Sequence, residues 1–186
     1  MIKHKDQRVG VFIDVSNMYH SAKNLYGTKV NFQEVLRVAV AGRLLIRASA
    51  YVVKSQSSEE SVFFEALDKQ GFEVKTKDLQ VFFSGAKKAD WDVGIAVDAI
   101  KMADKLDVVV LVTGDGDFIP LVLYLKENKG CLVEVIGFGR TTSSKLREAC
   151  DGYIDIDENQ KCLIKPKLLD MKRPSKQKNP RLHSFF

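Results

Sequence analysis

The 186-residue sequence is poor in the residues that define several common classes of protein. Its three cysteines, Cys131, Cys150 and Cys162, are odd in number and form no C-x-x-C pair, so we expect reduced, structural thiols in a cytoplasmic protein. Its three histidines share no spacing pattern, which leaves no basis for a Ser-His-Asp or Cys-His arrangement. The sequence also lacks a G-x-G-x-x-G fingerprint, so we do not expect a dinucleotide site.

Long apolar segments are absent too. No run approaches the ~20 residues that a membrane helix needs, and the charged residues 1–8 lead directly into a predicted strand rather than into a signal peptide. We therefore expect a cytoplasmic protein that does not contact a membrane. The length fits one domain, which we place at residues 1–160, followed by a basic, flexible tail at residues 161–186.

The net charge of +5 is concentrated in that tail. From Lys161 onward, lysine and arginine far outnumber the acids, whereas the body of the chain is close to neutral. A basic tail can attract nucleic acid by releasing counterions from the phosphates. It can equally be a solubilising, disordered end, and the sequence leaves both interpretations open.

Predicted strands and helices alternate along the chain. Apolar or alternating runs predict strands at residues 9–13, 44–53, 72–76, 107–113, 132–136 and 153–156. Helical patterns lie between them, with Ser16 or Asn17 as the N-cap of the first helix and Asp117 as the N-cap of the helix after the fourth strand. This alternation predicts an α/β fold with a mostly parallel, doubly wound sheet and helices on both faces.

The stretch from Thr113 to Phe118 is the most informative one in the sequence. A buried-strand pattern at residues 108–112 ends there in Asp115 and Asp117, which one glycine separates. The carboxyl end of a central parallel strand is where open α/β sheets bind their ligands. A polar turn followed by a helix cap is the alternative, since Asp-Gly is a common turn dipeptide.

Acidic residues end or begin two other predicted elements at the same edge of the sheet. Asp14 follows the first strand, and Asp92 begins the helix after a basic segment, with Asp90 two residues earlier. Asp14 and Asp92 could cluster with Asp115 and Asp117. The repulsion between these carboxylates would then have to be relieved by a bound cation or by protonation of some of them. Carboxylate oxygens without histidine or cysteine favour Mg²⁺ or Mn²⁺. Such ions can activate water for phosphodiester hydrolysis.

Several residues near this edge have two interpretations. Asn17 could orient a ligand water or a phosphate oxygen, or form a turn hydrogen bond. Asp90 could cap the helix, with Asp92 in its first turn favoured by the helix dipole. Trp91 could stack on an unpaired base, although we favour packing for a lone tryptophan at a helix start. Asp98 lies about 240° from Asp92 around the helix, so we expect it to be solvated or hydrogen-bonded.

Basic side chains should flank the same edge of the sheet. They are Lys87, Lys88, Arg140, Lys145 and Arg147. Contacts with nucleic-acid phosphates are one interpretation, and ordinary exposed side chains are an equal alternative.

Three motifs occur in a characteristic order along the chain: FIDVSN at 12–17, KADWDVGIAVD at 88–98 and TGDGDF at 113–118. Over roughly residues 8–157 they resemble the NYN domain, in the LabA-like (DUF88) branch of the PIN-like nuclease superfamily. The resemblance implies a Rossmann-like (PIN-like) sheet with strand order 3-2-1-4-5. The chain departs from this pattern at Ala89, where many relatives have glycine.

The resemblance also implies a chemistry and a set of site residues. It implies metal-dependent cleavage of RNA, single-stranded or looped, with Mg²⁺ or Mn²⁺ as the cofactor. The acidic positions of the family fall on Asp14, Asp92, Asp115 and Asp117, and Asn17 occupies the polar position after the first acid. The natural RNA and a homodimeric state are left open.

Two other functions stay open at this point. The first is a non-catalytic module of the same fold that binds RNA or a partner protein through this edge and the basic tail. The second is a phosphatase or phospho-acceptor with Asp14 as its nucleophile. We rank it lower, because the sequence that follows Asp14 lacks the second acid of a D-x-D loop.

Overall fold

The structure, a computed structural model, describes residues 3–54, 59–78, 80–81, 87–88 and 90–164. Its strands are β1 (Arg8–Asp14), β2 (Lys29–Val30), β3 (Leu44–Lys54), β4 (Glu73–Asp78), β5 (Gln80–Val81), β6 (Lys87–Lys88), β7 (Val108–Val112), β8 (Leu132–Gly137), β9 (Gly152–Asp155) and β10 (Leu163–Ile164). Its α-helices are α1 (Val15–Tyr26), α2 (Phe32–Val40), α3 (Glu59–Lys69), α4 (Asp92–Ala103), α5 (Ile119–Lys129) and α6 (Ser144–Ala149). Ala89 and the tail beyond residue 164 lie outside the described residues.

Six of these strands form one parallel sheet in the order β4-β3-β1-β7-β8-β9. The first five have the predicted 3-2-1-4-5 order, so the α/β, PIN-like fold class is confirmed. The sixth strand, β9, extends the sheet beside β8; the sequence predicted this strand but not its place. The chain changes direction across the sheet between β1 and β7, which makes their carboxyl ends the point at which such sheets bind ligands.

Helices cover both faces of the sheet and divide the core into two layers. In β1, Val9, Val11 and Ile13 face one layer and Phe12 faces the other. The first layer packs α1, α2 and α3 against the sheet, and the second packs α4, α5 and α6. Strand β7 is buried at all five positions, as expected of a strand with helices on both sides.

Two short antiparallel strand pairs lie outside this sheet, β2 with β10 and β5 with β6. Leu163 of β10 pairs with Val30, and the hydroxyl of Thr28 donates to the carbonyl of Ile164. The described chain therefore ends close to the carboxyl end of α1. None of the helices in the described ranges is long and apolar enough to cross a membrane.

A buried ion pair joins the end of α2 to β8. The guanidinium of Arg43 donates to both carboxylate oxygens of Glu134, at 2.8 and 2.9 Å, and also to the carbonyls of Ala39 and Val40. Both charged side chains are only 1% exposed. Since the guanidinium donates to acceptors on several sides, its charge is compensated inside the protein.

Candidate metal centre

The candidate site lies where β1 and β7 end side by side. Ile13 pairs in register with Val112, so the chain leaves both strands at the same level. Asp14 is the N-cap of α1, and its Oδ1 accepts a hydrogen bond from the N–H of Asn17 at 3.0 Å. Our assignment of this cap to Ser16 or Asn17 is wrong. Strand β1 runs directly into the helix, so the earlier carboxylate reaches the free N–H groups of the first turn.

A tight turn holds the two acids that follow β7. Asp115 caps the 3-10 turn Gly116–Phe118, because its Oδ1 accepts a hydrogen bond from the N–H of Asp117 at 2.9 Å. The assignment of a helix N-cap to Asp117 is therefore wrong, and α5 begins only at Ile119. The hydroxyl of Thr113 accepts a hydrogen bond from the N–H of Asp115 at 3.2 Å, which fixes the start of the turn.

Asp92, Asp115 and Asp117 form the acidic centre of the site. Each offers one carboxylate oxygen, and these three oxygens lie within 4.8 Å of one another. Asp92 comes from the first turn of α4, whereas the other two come from the turn after β7. Asp92 and Asp115 are half-buried and Asp117 is exposed, so the centre is open to solvent on one side.

The donor set of this acidic centre fits a hard divalent cation. In an octahedral Mg²⁺ site with bonds of about 2.1 Å, adjacent ligand oxygens lie ~3 Å apart and opposite ones ~4.2 Å apart. The oxygens of the three carboxylates, all within 4.8 Å of one another, lie near this range of separations. Without a cation, three carboxylates at this spacing repel one another. Asp92, Asp115 and Asp117 would hold the ion, and water would complete its shell.

Asp14 lies beside the acidic centre and is coupled to it electrostatically. Burial raises the pKa of Asp14 to about 6; the hydrogen bond from Asn17 opposes the rise, and the negative charges of Asp92 and Asp115 add to it. The structure therefore brings the four predicted acids to one edge of the sheet. Their roles as metal ligands stay predictions. Asp14 is not one of the three residues whose carboxylate oxygens lie within 4.8 Å of one another.

Asn17 connects the two strand ends that carry the acids. Its side-chain Oδ1 accepts a hydrogen bond from the N–H of Gly114 at 3.0 Å. Because α1 begins at β1 and Gly114 follows β7, this bond holds the two loops at a fixed separation. The side chain of Asn17 therefore forms a long-range hydrogen bond rather than the local turn bond that we considered, and a contact with water or phosphate stays a prediction.

The loop after β8 forms one wall of the site, a feature that was not predicted from the sequence. The N–H of Ser143 donates to the carbonyl of Gly114 at 2.9 Å. A Cβ added at Gly116 would lie 3.0 Å from the hydroxyl oxygen of Ser143, so glycine is what allows this close approach. The four consecutive hydroxyl residues at 141–144 were a signal for polar contacts at this edge.

Trp91 packs between α4 and the neighbouring strands. Its indole N–H donates to the carbonyl of Val52 at 3.0 Å, and its ring meets that of Tyr51 edge-on with centroids 5.3 Å apart. The Nζ atom of Lys77 lies 5.9 Å from the ring centroid and donates to the carbonyl of Asp90. These contacts agree with the packing that we favoured for Trp91, and a contact with an RNA base stays a prediction.

Asp98 is hydrogen-bonded and is not part of the acidic centre, as we expected. Its carboxylate accepts hydrogen bonds from the hydroxyl of Tyr51 at 2.9 Å and from Nζ of Lys75 at 2.6 Å. Burial alone would raise the pKa of Asp98, but these two bonds outweigh burial and lower that pKa. Asp98 therefore fastens the second turn of α4 to β3 and β4.

The residues predicted to bind phosphate are spread over two segments. Lys87–Lys88 form β6, and their side chains lie outside the described structure. Arg140 follows β8, stacks 5.0 Å from the ring centroid of Tyr26 and lies 3.7 Å from a carboxylate oxygen of Asp157. Lys145 is exposed in the first turn of α6. A phosphate at Arg140 would compete with Asp157, and the phosphate contacts stay predictions.

Comparisons with known proteins identify the family. The NYN domain model matches residues 8–157. The low amplitude and bright protein LabA of Synechococcus elongatus is 28% identical over 163 residues, which cover 83% of this chain and 86% of that protein. An uncharacterised protein of Methanocaldococcus jannaschii is 30% identical over 158 residues, 82% of this chain. The match spans only 57% of the length of that archaeal relative.

A solved structure supports the same conclusion. The crystal structure of a protein of unknown function from Vibrio parahaemolyticus superimposes with a TM-score of 0.80 at 32% sequence identity. The match covers 88% of this chain and 100% of that one. NYN domains are PIN-like and associated with RNA, and nucleases of this kind typically use divalent metals. From its sequence and its fold, the chain belongs to the NYN domain family, in the LabA-like branch.

Proposed function

We propose that the protein is a Mg²⁺- or Mn²⁺-dependent ribonuclease that hydrolyses phosphodiester bonds in single-stranded or looped RNA. The observation that carries this proposal is the approach of three carboxylate oxygens, from Asp92, Asp115 and Asp117, to within 4.8 Å of one another. Membership of the NYN family supports RNA as the substrate. The oxygen-only donor set supports a hard cation rather than zinc.

The chain's own residues have distinct tasks in this proposal. Asp92, Asp115 and Asp117 would hold the cation, which when bound would activate water and stabilise the charge on the leaving oxygen. Asp14 lies beside these ligands and, charged once the cation is bound, can accept the proton of the attacking water. Asn17 holds the two strand ends together through Gly114.

Electrostatics explain why this site needs basic surroundings. A cluster of carboxylates repels the phosphates of RNA until a cation neutralises it. Exposed basic side chains such as Lys145, together with β6 and the basic tail, can offset the remaining repulsion and attract the RNA backbone. We therefore propose that Lys87–Lys88, Arg140 and Lys145 contact phosphates on either side of the cleaved bond.

The direct test is cleavage of a labelled single-stranded RNA by purified protein in the presence of Mn²⁺. We expect cleavage that a chelator stops and that Asp115→Asn lowers by about 100-fold or more, because a misplaced or missing ligand removes the positioned cation. Asp104→Asn is the matched control, since Asp104 lies at the other end of α4 and is 74% exposed. Cleavage by Asp115→Asn at the rate of the control would place the activity elsewhere and refute the proposal.

The second candidate function is a non-catalytic module that binds RNA. The excess of basic residues after residue 161 favours it, because a cationic tail binds phosphates without any active site. It predicts RNA binding that weakens as salt increases, without turnover. A wild-type protein that binds Mn²⁺ and RNA but leaves the RNA intact would support this candidate over the nuclease.

A further inference from the structure

We propose that Trp91 is a positioning residue for the metal ligand Asp92, and that Gly94 is required because it leaves room for the Trp91 ring. This inference rests on the proposed function, since it concerns the same metal centre. It assigns a task to two residues that are not members of the acidic centre itself.

Asp92 depends on long-range packing more than the other two ligands of the centre. Asp115 and Asp117 share one short turn, so a local hydrogen bond sets their separation. Asp92 belongs to α4, and its distance from that turn depends on how α4 lies on the sheet. The N-cap residue of α4, Trp91, forms no side-chain cap hydrogen bond. Packing contacts of the Trp91 ring therefore contribute to the place of the first turn.

The indole of Trp91 supplies these contacts. Its N–H donates to the carbonyl of Val52, and its ring packs edge-on against Tyr51, both in β3. Tyr51 is paired in register with Asp14 of β1, so Trp91 ties the start of α4 to the strand level that also carries Asp14. The carbonyl of Trp91 in turn accepts the N–H of Ile95 at 2.7 Å. Movement of the ring would therefore move the first helical turn, and Asp92 with it.

Gly94 leaves the space that the ring occupies. A Cβ added at Gly94 would lie 2.5 Å from Cε3 and 2.9 Å from Cζ3 of Trp91. Both atoms belong to the six-membered ring of the indole, which is held at its other edge by the N–H bond to Val52. Glycine inside a helix is destabilising relative to alanine. A glycine in this turn is explained by the space that it leaves for Trp91.

The first experiment measures the affinity of the metal-free protein for Mn²⁺ by electron paramagnetic resonance. Gly94→Ala should lower this affinity by about tenfold or more, because residues that orient metal ligands typically contribute roughly 10- to 100-fold. Val93→Ala is the matched control, since Val93 lies in the same turn but is 74% exposed, and its affinity should equal that of the wild type. Trp91 is the single tryptophan of the chain, so Gly94→Ala should also shift the emission maximum.

A double-mutant cycle shows whether the loss of Mn²⁺ affinity in Gly94→Ala comes from the displaced Trp91 ring or from a general disruption of the fold. Phenylalanine has no atoms at the Cε3 and Cζ3 positions and no ring N–H, so Trp91→Phe should weaken Mn²⁺ binding moderately. In that background, Gly94→Ala should cause less than about a twofold further loss, because the clash is gone. Gly94→Ala should remain folded with only a small change in melting temperature, because the helix propensity of alanine offsets part of the cost of displacing the ring.

The outcomes distinguish this inference from the proposed function. Wild-type protein that does not bind Mn²⁺ would overturn both. Wild-type protein that binds Mn²⁺ while Gly94→Ala binds it equally well would overturn the positioning role alone. A loss from Gly94→Ala that is equally large in the wild-type and Trp91→Phe backgrounds would overturn that role too, because the effect would then not pass through the indole.

Discussion

Among single residues, Asp14 combines a structural contact with a charge that is costly to bury. It caps α1 through the N–H of Asn17, yet burial, and then the charges of Asp92 and Asp115, raise its pKa to about 6. A bound cation would favour the charged form and remove this cost. The charged form of Asp14 therefore costs more free energy in the metal-free protein than in the metal-bound state that we propose to be active.

We predict that Asp14→Asn stabilises the metal-free protein at pH 7. Because the folded pKa lies above the ordinary value near 4, the folded protein keeps a proton that the unfolded chain releases between about pH 4 and pH 6. The free energy of unfolding of the wild type therefore falls as pH rises through that window. Asparagine carries no charge and is also a good N-cap. Urea denaturation should show a gain on the order of 1–2 kcal/mol at pH 7 and almost none at about pH 3.5.

An equal change in the free energy of unfolding at both pH values would contradict the raised pKa of Asp14.

For single residues, the sequence predicts the place of the acids but not the hydrogen bonds that they form. The positions of the acids at the sheet edge follow from where the apolar runs end. The caps do not, because Asp14, Ser16 and Asn17 are all good N-cap residues, and the choice depends on the direction in which β1 leaves the sheet.

The buried ion pair between α2 and β8 provides a prediction about whole elements. Glu134→Gln should lower the free energy of unfolding by about 3–5 kcal/mol, because the charge of Arg43 then stays buried without an opposite charge beside it. Asp107→Asn is the control, because it breaks the ion pair between Asp107 and Arg8. The side chain of Arg8 is 45% exposed and that of Asp107 is 40% exposed, so water solvates the charge that remains. Chemical denaturation measures the loss of unfolding free energy in both variants. Similar losses would contradict the argument that the burial of the ion pair sets the cost.

Strand order was predictable here, whereas the contacts between distant elements were not. Alternation of apolar strands with helices favoured a doubly wound sheet, and the motif resemblance supplied its order. The sequence indicates both the short helix α6 and the strand after it, but not that this strand joins the edge of the sheet beside β8. Glu134 lies in an ordinary strand pattern, and its partner Arg43 is 91 positions away. Only the folded chain brings such a pair together.

The distribution of charge over the whole molecule leads to a prediction about the tail. Removing residues 165–186 should lower the affinity for RNA and flatten its dependence on salt, because fewer phosphates are neutralised. The affinity for Mn²⁺ and the melting temperature should stay the same, since the described sheet and its helices end at Ile164. Fluorescence anisotropy at several salt concentrations, in the Asp115→Asn background to prevent cleavage, makes the comparison. An unchanged salt slope would assign RNA binding to the folded domain instead.

The proposed RNA cleavage and the positioning role of Trp91 both require that the acidic centre binds a divalent cation. The most direct test is calorimetric titration of Mn²⁺ into the wild type, Asp115→Asn and the control Asp104→Asn. We predict saturable binding by the wild type and the control, and at least about tenfold weaker binding by Asp115→Asn. No binding by the wild type, or equal binding by all three proteins, would contradict a metal centre at Asp92, Asp115 and Asp117.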